Sequence, residues 1–197
     1  SYGAGTSTAH VSGETFNRNH HLGLELTGKT IGIIGMGNIG TEFARKMWGA
    51  FQSHLVAYDT GTPKPDWSQW PHQRTSTLEE VLAQSDVVSL HVPYTPANHH
   101  MIDAKALGCM KPGALLVNVS RGGLVDEEAL HRALTDGRLD GAALDVWEEA
   151  EPPRPDHPLL SLPQVIARCA WPNSCCMCST AANPGIVWFE NRFRKDV

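Results

Sequence analysis

Six residues, Gly35-Met36-Gly37-Asn38-Ile39-Gly40, have the types and spacing to hold a pyrophosphate. Alone, a G-x-G-x-x-G run is a weak signal, because glycines mark many tight turns. The flanking residues supply the context. Thr30-Ile31-Gly32-Ile33-Ile34 is a short β-branched run that reads as a strand buried on both faces. Thr41 to Gly49 then carries Phe43, Ala44 and Met47 at helical spacing, and the helix starts near Asn38. In a strand–turn–helix of this kind Gly35 permits the tight turn and Gly37 leaves the pyrophosphate unobstructed. Gly40 lets the helix pack close to the strand. The free N–H groups of the first helical turn, where Asn38 and Ile39 stand, and the helix dipole favour negative charge.

Asp59 lies nineteen residues after Gly40 and ends a second strand, His54-Leu55-Val56-Ala57-Tyr58. Its carboxylate can accept from the adenosine ribose hydroxyls and would repel a 2′-phosphate, which favours NAD over NADP. Asp59-Thr60-Gly61 also reads as an ordinary solvated turn. A methyltransferase would offer a similar glycine turn and acidic residue, but not the motifs further along the chain.

The remaining elements alternate. Thr77-Leu78-Glu79-Glu80 is a capping box opening a short helix to about Gln84. Strands follow at Asp86 to His91 and Ala114 to Val119, with a short helix from Ala104 to Met110 between them. Asp126, Glu127 and Glu128 set acidic groups at the positive end of a helix that stops at Gly137. Gly141 to Val146 is a fifth strand and Gln164 to Ala167 a sixth, while residues 60–76 read as loop. Strands alternating with helices imply an α/β fold: a doubly wound parallel sheet of the Rossmann type. The expected division is an arm or residual linker over 1–29, a dinucleotide-binding domain over 30–168 and an atypical tail over 169–197.

Composition narrows the partners. The 197 residues carry a net charge of −5, which speaks against nucleic acid and anionic membranes as partners. No apolar run is long enough to span a bilayer, and the first residues show no basic start or apolar core of a signal peptide. Of five cysteines, Cys109 stands alone and Cys169, Cys175, Cys176 and Cys178 cluster late. The odd count is a poor disulfide framework and the spacing fits no zinc motif, so free thiols, a reducing cytoplasmic setting and no metal are expected.

The series His91-Val92-Pro93, Met110-Lys111-Pro112-Gly113, Asn118-Val119-Ser120-Arg121-Gly122-Gly123 and Ala143-Leu144-Asp145-Val146 resembles the cofactor domain of D-isomer-specific 2-hydroxyacid dehydrogenases. That family includes phosphoglycerate, glycerate and formate dehydrogenases. The resemblance implies an oxidoreductase that exchanges hydride between NAD and a small 2-hydroxy or 2-keto acid. It implies that Arg121 holds the substrate carboxylate and carbonyl, a task suited to a planar fork. It places Val92 and Pro93 on the adenosine side, Val119 and Ser120 at the nicotinamide ribose, and Asp145 on the nicotinamide amide. The family's catalytic glutamate falls near Glu148-Glu149-Ala150-Glu151-Pro152. Glu151 is its expected counterpart through a one-residue insertion, with Glu149 the alternative. A second copy of the chain is a further candidate partner.

Two departures stand beside this. The family's mechanism uses a histidine from a Pro-His pair just after the sixth strand, but here the chain reads Ala167-Arg168-Cys169-Ala170-Trp171-Pro172, and His157 is the last histidine. His157 itself lies in a loop that the family carries without catalytic duty. The resemblance stops at Cys169, as at a shifted reading frame, and the substrate domain usually found ahead of the glycine turn is expected to be largely missing. The expectation is a catalytically impaired NAD-binding domain; the alternatives are a non-catalytic regulatory module and a truncated gene product.

Overall fold

The computed structural model describes residues 25–61, 71–149 and 152–167. They form seven strands: β1 (Thr30–Ile34), β2 (His54–Tyr58), β3 (Gln73–Arg74), β4 (Val87–Leu90), β5 (Ala114–Asn118), β6 (Leu139–Leu144) and β7 (Val165–Ala167). Four α-helices alternate with them: α1 (Asn38–Phe51), α2 (Leu78–Gln84), α3 (Ala104–Cys109) and α4 (Glu127–Thr135). All pairings are parallel and the strand order is β3-β2-β1-β4-β5-β6-β7. This is the expected doubly wound sheet, whose order reverses between β1 and β4.

The β-branched runs became strands because both sheet faces are apolar. Ile34, Val88, Leu90, Leu116, Ala142 and Leu144 face a large core closed by Val81 and Leu82 of α2, Leu107 of α3 and Leu130 and Leu134 of α4. Ile31, Ile33, Leu55, Ala57 and Val87 face the other way, against Ala44, Phe43 and Met47 of α1. Beyond α1 that second face is thinner. Leu115 and Val117 are half-buried there and Ile166 is 53% exposed.

The helix ends form as the sequence reads. Thr77 Oγ1 accepts from the Glu80 N–H at 3.2 Å, and the Glu80 carboxylate accepts from the Thr77 N–H. Asp126 caps α4 by accepting from the Ala129 N–H at 2.8 Å, and Gly137 leaves that helix with a positive φ of 68°. Five strand assignments need correction; two are trims of one residue, β5 ending at Asn118 and not Val119, and β7 beginning at Val165 and not Gln164. β6 begins at Leu139, not Gly141, because a register shift between Ala114 and Leu115 lets Leu139 pair with Ala114, and it ends at Leu144. The Asp86-to-His91 run is strand only over Val87–Leu90. The 60–76 stretch contains β3, a two-residue edge strand of Gln73 and Arg74 held on Val56 and Ala57.

Asp86 ties three strand beginnings together. Its Oδ2 accepts from the Thr30 N–H at 2.8 Å and its Oδ1 from Lys111 Nζ at 2.9 Å, while its carbonyl receives the Leu115 N–H. Burial alone would raise the carboxyl, but the Thr30 N–H and the Lys111 ammonium outweigh it and hold Asp86 below the ordinary carboxylate value. A depressed folded pKa gives stability that is present above the unfolded value and lost as pH falls through the folded one. Asp86→Asn should therefore lower unfolding stability by about 1–3 kcal/mol at neutral pH. The gap to wild type should close as pH drops below about 4. Urea unfolding at pH 7 and near pH 3 measures both; an unchanged gap at the lower pH would remove the carboxylate charge from the explanation.

Candidate cofactor site

In an open parallel sheet the loops at the carboxyl ends of the strands meet at one edge, and the crevice lies where the strand order reverses. Here that edge gathers the glycine turn after β1, Asp59 after β2, His91 to Pro93 after β4, Val119 to Arg121 after β5 and Asp145 after β6.

The three glycines of the turn are not equivalent. Gly35 has φ of +97°, and a Cβ there would press on the His91 carbonyl and Val92. A Cβ on Gly40 would overlap the Gly35 carbonyl oxygen. Gly37 faces open space: a Cβ there meets nothing within 4 Å. Gly37 also holds the N-cap of α1, and no side chain caps that helix. The first turn of α1 thus presents the positive end of the helix dipole toward the crevice. Ile39 stands 73% exposed in that turn.

Asp59 turns back toward the glycine turn. Its Oδ2 accepts from the Met36 N–H at 2.5 Å and its Oδ1 from the Gly61 N–H at 2.5 Å. The Tyr58 carbonyl receives the Gly35 N–H at 2.9 Å, so β2 and the turn are joined twice. The Arg74 guanidinium donates to the carbonyls of Asp59 and Gly61 at 2.9 and 2.6 Å, placing a cation beside the acidic residue. Sequence reasoning missed Arg74, because two polar residues on an edge strand give no periodic signal.

His91 backs the turn from the β4 side. Its ring lies tilted on Phe43 with centroids 4.9 Å apart, and its Nε2 is 3.0 Å from Ser89 Oγ. Burial pushes its pKa down, so the imidazole is neutral at pH 7. Val92 is half-buried and Pro93 exposed.

The β5 loop is fixed by Asn118, which is buried. Its Oδ1 accepts from the Ser120 N–H at 3.1 Å and its Nδ2 donates to the Arg121 carbonyl at 2.9 Å. Ser120 Oγ donates to the Leu90 carbonyl, tying this loop to β4. Val119 and Arg121 are exposed on the loop, and the Arg121 guanidinium donates to the Ser120 carbonyl at 2.7 Å. Asp145 bonds through its N–H to the Asn118 carbonyl at 3.0 Å. Its Oδ1 is buried and accepts no hydrogen bond among the described residues. A buried acceptor without a donor is costly, and a ligand amide N–H would satisfy it.

Glu151 and the cysteines from Cys169 onward lie outside the described residues. Glu149 is exposed at a small crevice with Trp147 and Arg154. His157 serves the fold. Its Nδ1 accepts from the Leu159 N–H at 3.3 Å and its Nε2 donates to Glu127 at 3.0 Å, so both nitrogens are used.

A family model described as "D-isomer specific 2-hydroxyacid dehydrogenase, NAD binding domain" matches residues 4–169. The chain belongs to that family. It is 40% identical over 160 residues to D-3-phosphoglycerate dehydrogenase of Methanocaldococcus jannaschii, covering 81% of this chain and 30% of that protein. It also resembles the apo D-mandelate dehydrogenase of Rhodotorula graminis, at a TM-score of 0.75 and 33% identity, over 84% of this chain and 49% of the other. The NAD-complexed D-isomer-specific 2-hydroxyacid dehydrogenase of Lactobacillus delbrueckii ssp. bulgaricus gives a TM-score of 0.68 and 32% identity, over 81% and 51%. The chain therefore spans half or less of the length of these dehydrogenases. Its matched part is their NAD-binding domain, and NAD is the cofactor of that domain. Among the described residues no helix is long and apolar enough to cross a membrane.

The open Gly37, the uncapped start of α1 and the unsatisfied Asp145 oxygen all fit a dinucleotide. They also separate binding from folding. Gly37→Ala should leave thermal stability within about 0.5 kcal/mol of wild type and weaken NADH binding by about tenfold or more. Gly40→Ala should cost stability as well, because its methyl group collides with backbone. Differential scanning fluorimetry paired with NADH titration distinguishes the two; equal damage to stability from both would contradict the division of roles.

Proposed function

We propose that this chain binds NAD(H) in the crevice above β1 and β4 and contributes the cofactor half of a D-2-hydroxyacid dehydrogenase site. The observation that carries the reading is the pairing of an open glycine and uncapped helix with an orphaned Asp145 oxygen on the same sheet edge. Backbone N–H groups around Gly37, Asn38 and Ile39 would take the pyrophosphate, and Asp59 the adenosine ribose. Val92 and Pro93 would line the adenosine side. Val119 and Ser120 would meet the nicotinamide ribose and Asp145 the carboxamide. When bound, NAD supplies the hydride acceptor.

Arg121 is the residue we assign to the substrate. Its guanidinium stands exposed at the sheet edge, and a planar five-donor fork suits a 2-keto or 2-hydroxy acid. Glu151 is the proposed partner of a proton-carrying histidine, with Glu149 the alternative. This chain has no histidine after His157, and His157 is bonded through both nitrogens. A general acid contributes roughly 10²–10⁴-fold, so the domain binds cofactor far better than it turns over substrate. That observation favours a second reading, a non-catalytic NAD-binding module, over an efficient enzyme.

Calorimetric titration should show tighter binding of NADH than of NADPH, since the Asp59 carboxylate opposes a 2′-phosphate. Asp59→Ala should narrow the difference, the more so because Arg74 then stands beside the vacated position. NADPH binding equal to or tighter than NADH would overturn the specificity. Oxidation of NADH with hydroxypyruvate, glyoxylate or pyruvate should run far below about 10 per second. A rate near that value would show that another group in the chain carries the proton.

A further inference from the structure

Three side chains outside the cofactor crevice converge on one point. His100 Nε2 lies 2.7 Å from Glu148 Oε1, and His99 Nε2 lies 3.8 Å from the same oxygen. The two imidazoles are stacked, with centroids 3.8 Å apart and planes 24° from parallel. One ligand atom from each residue falls within 4.8 Å of the others. Stacking two imidazoles against a shared carboxylate oxygen is an expensive way to make a surface ion pair, since exposed pairs contribute little. A tetrahedral ion bound by both Nε2 atoms would part the stack, since rings that share such an ion stand with centroids about 5 Å apart.

We propose that His99, His100 and Glu148 form a zinc site. Two imidazole nitrogens and one carboxylate oxygen are borderline ligands that suit Zn²⁺ and are unsuited to Mg²⁺ or Ca²⁺, which take oxygen. A tetrahedral zinc with ligands at about 2.0–2.1 Å needs ligand atoms roughly 3.3 Å apart. His100 would draw back from Glu148, His99 would close in, and the two rings would swing apart from their stack. Three protein ligands leave the fourth position to water.

Each ligand is positioned by a second interaction. His100 has a left-handed backbone, φ of 50°, and its N–H is held by the Gly123 carbonyl at 2.9 Å. That conformation is uncommon for a residue other than glycine. Tyr94 Oη is 3.4 Å from His99 Nδ1, the nitrogen that must carry the proton when Nε2 binds metal. The Glu148 N–H is anchored on Glu127 Oε1 at 2.9 Å, the other oxygen of which holds His157. Bound zinc would thus lock the β4 loop to the β6 loop and, through Gly123, to the turn that follows Arg121.

The experiment is zinc titration of the untagged full chain by calorimetry, beside His100→Ala, Glu148→Gln and Tyr94→Phe. A fourth variant carries Cys109→Ser, Cys169→Ser, Cys175→Ser, Cys176→Ser and Cys178→Ser together, because thiols are competing zinc ligands. We expect zinc binding to persist in the cysteine-free variant and to raise its melting temperature. His100→Ala and Glu148→Gln should each weaken binding at least about tenfold, and Tyr94→Phe less, toward the lower end of the outer-shell range. All variants should melt like wild type without zinc. Cobalt(II) in the cysteine-free variant should give visible ligand-field bands of a four-coordinate site, with no sulfur-to-metal charge-transfer absorption. The proposal fails if zinc binding is abolished by the cysteine substitutions and untouched by His100→Ala, or if the cysteine-free chain binds no zinc. It also fails if its cobalt spectrum is six-coordinate.

Discussion

At the start of α1 the Gly40 Cα faces the Gly35 carbonyl at the end of β1 with no room for a methyl group. That contact fixes the angle at which α1 leaves the sheet. The angle in turn seats Ala44, Phe43 and Met47 on Ile31, Ile33 and Leu55. It also sets the N-terminus of α1 over the crevice between β1 and β4. The Asp59 carboxylate, bonded to Met36 N–H, then holds the same turn from β2. A single steric constraint thus links the packing of one sheet face to the placement of the helix dipole where a pyrophosphate would sit.

Around that turn the edge is built from backbone more than from side chains. Asn118, buried in β5, uses both ends of its amide to shape the loop carrying Ser120 and Arg121. Ser120 passes the constraint to Leu90 on β4. Arg121 is held at its backbone and, among the described residues, pairs with no carboxylate at its guanidinium. The rigid part of the loop lies beneath the exposed part, which is the order expected of a group that must meet a ligand from outside the domain.

Much of this was legible in the sequence, and for physical reasons. Thr30–Ile34 and His54–Tyr58 were readable to the residue because a strand buried on both faces is a continuous apolar run. The Thr77 capping box and the three glycine roles follow from local stereochemistry, so they too could be read directly. β3 could not: Gln73 and Arg74 form a strand only because Val56 and Ala57 offer a free ladder. The start of β6 at Leu139 depended on a bulge that leaves no mark in composition. The convergence of His99 and His100 with Glu148 spans 48 residues and rests on one left-handed backbone angle, so no spacing rule reveals it.

The sheet ends in two very short strands, β3 with two residues and β7 with three. A sheet edge is a row of unpaired amide and carbonyl groups, and its hazard grows with its length and flatness. Among the described residues the long, apolar strands all lie inside the sheet, and the strands at its two rims have only two and three residues. β3 is further blunted by the arginine at its end. Edge-to-edge pairing of two such domains, the usual opening to β-aggregation, is therefore poorly templated from either side.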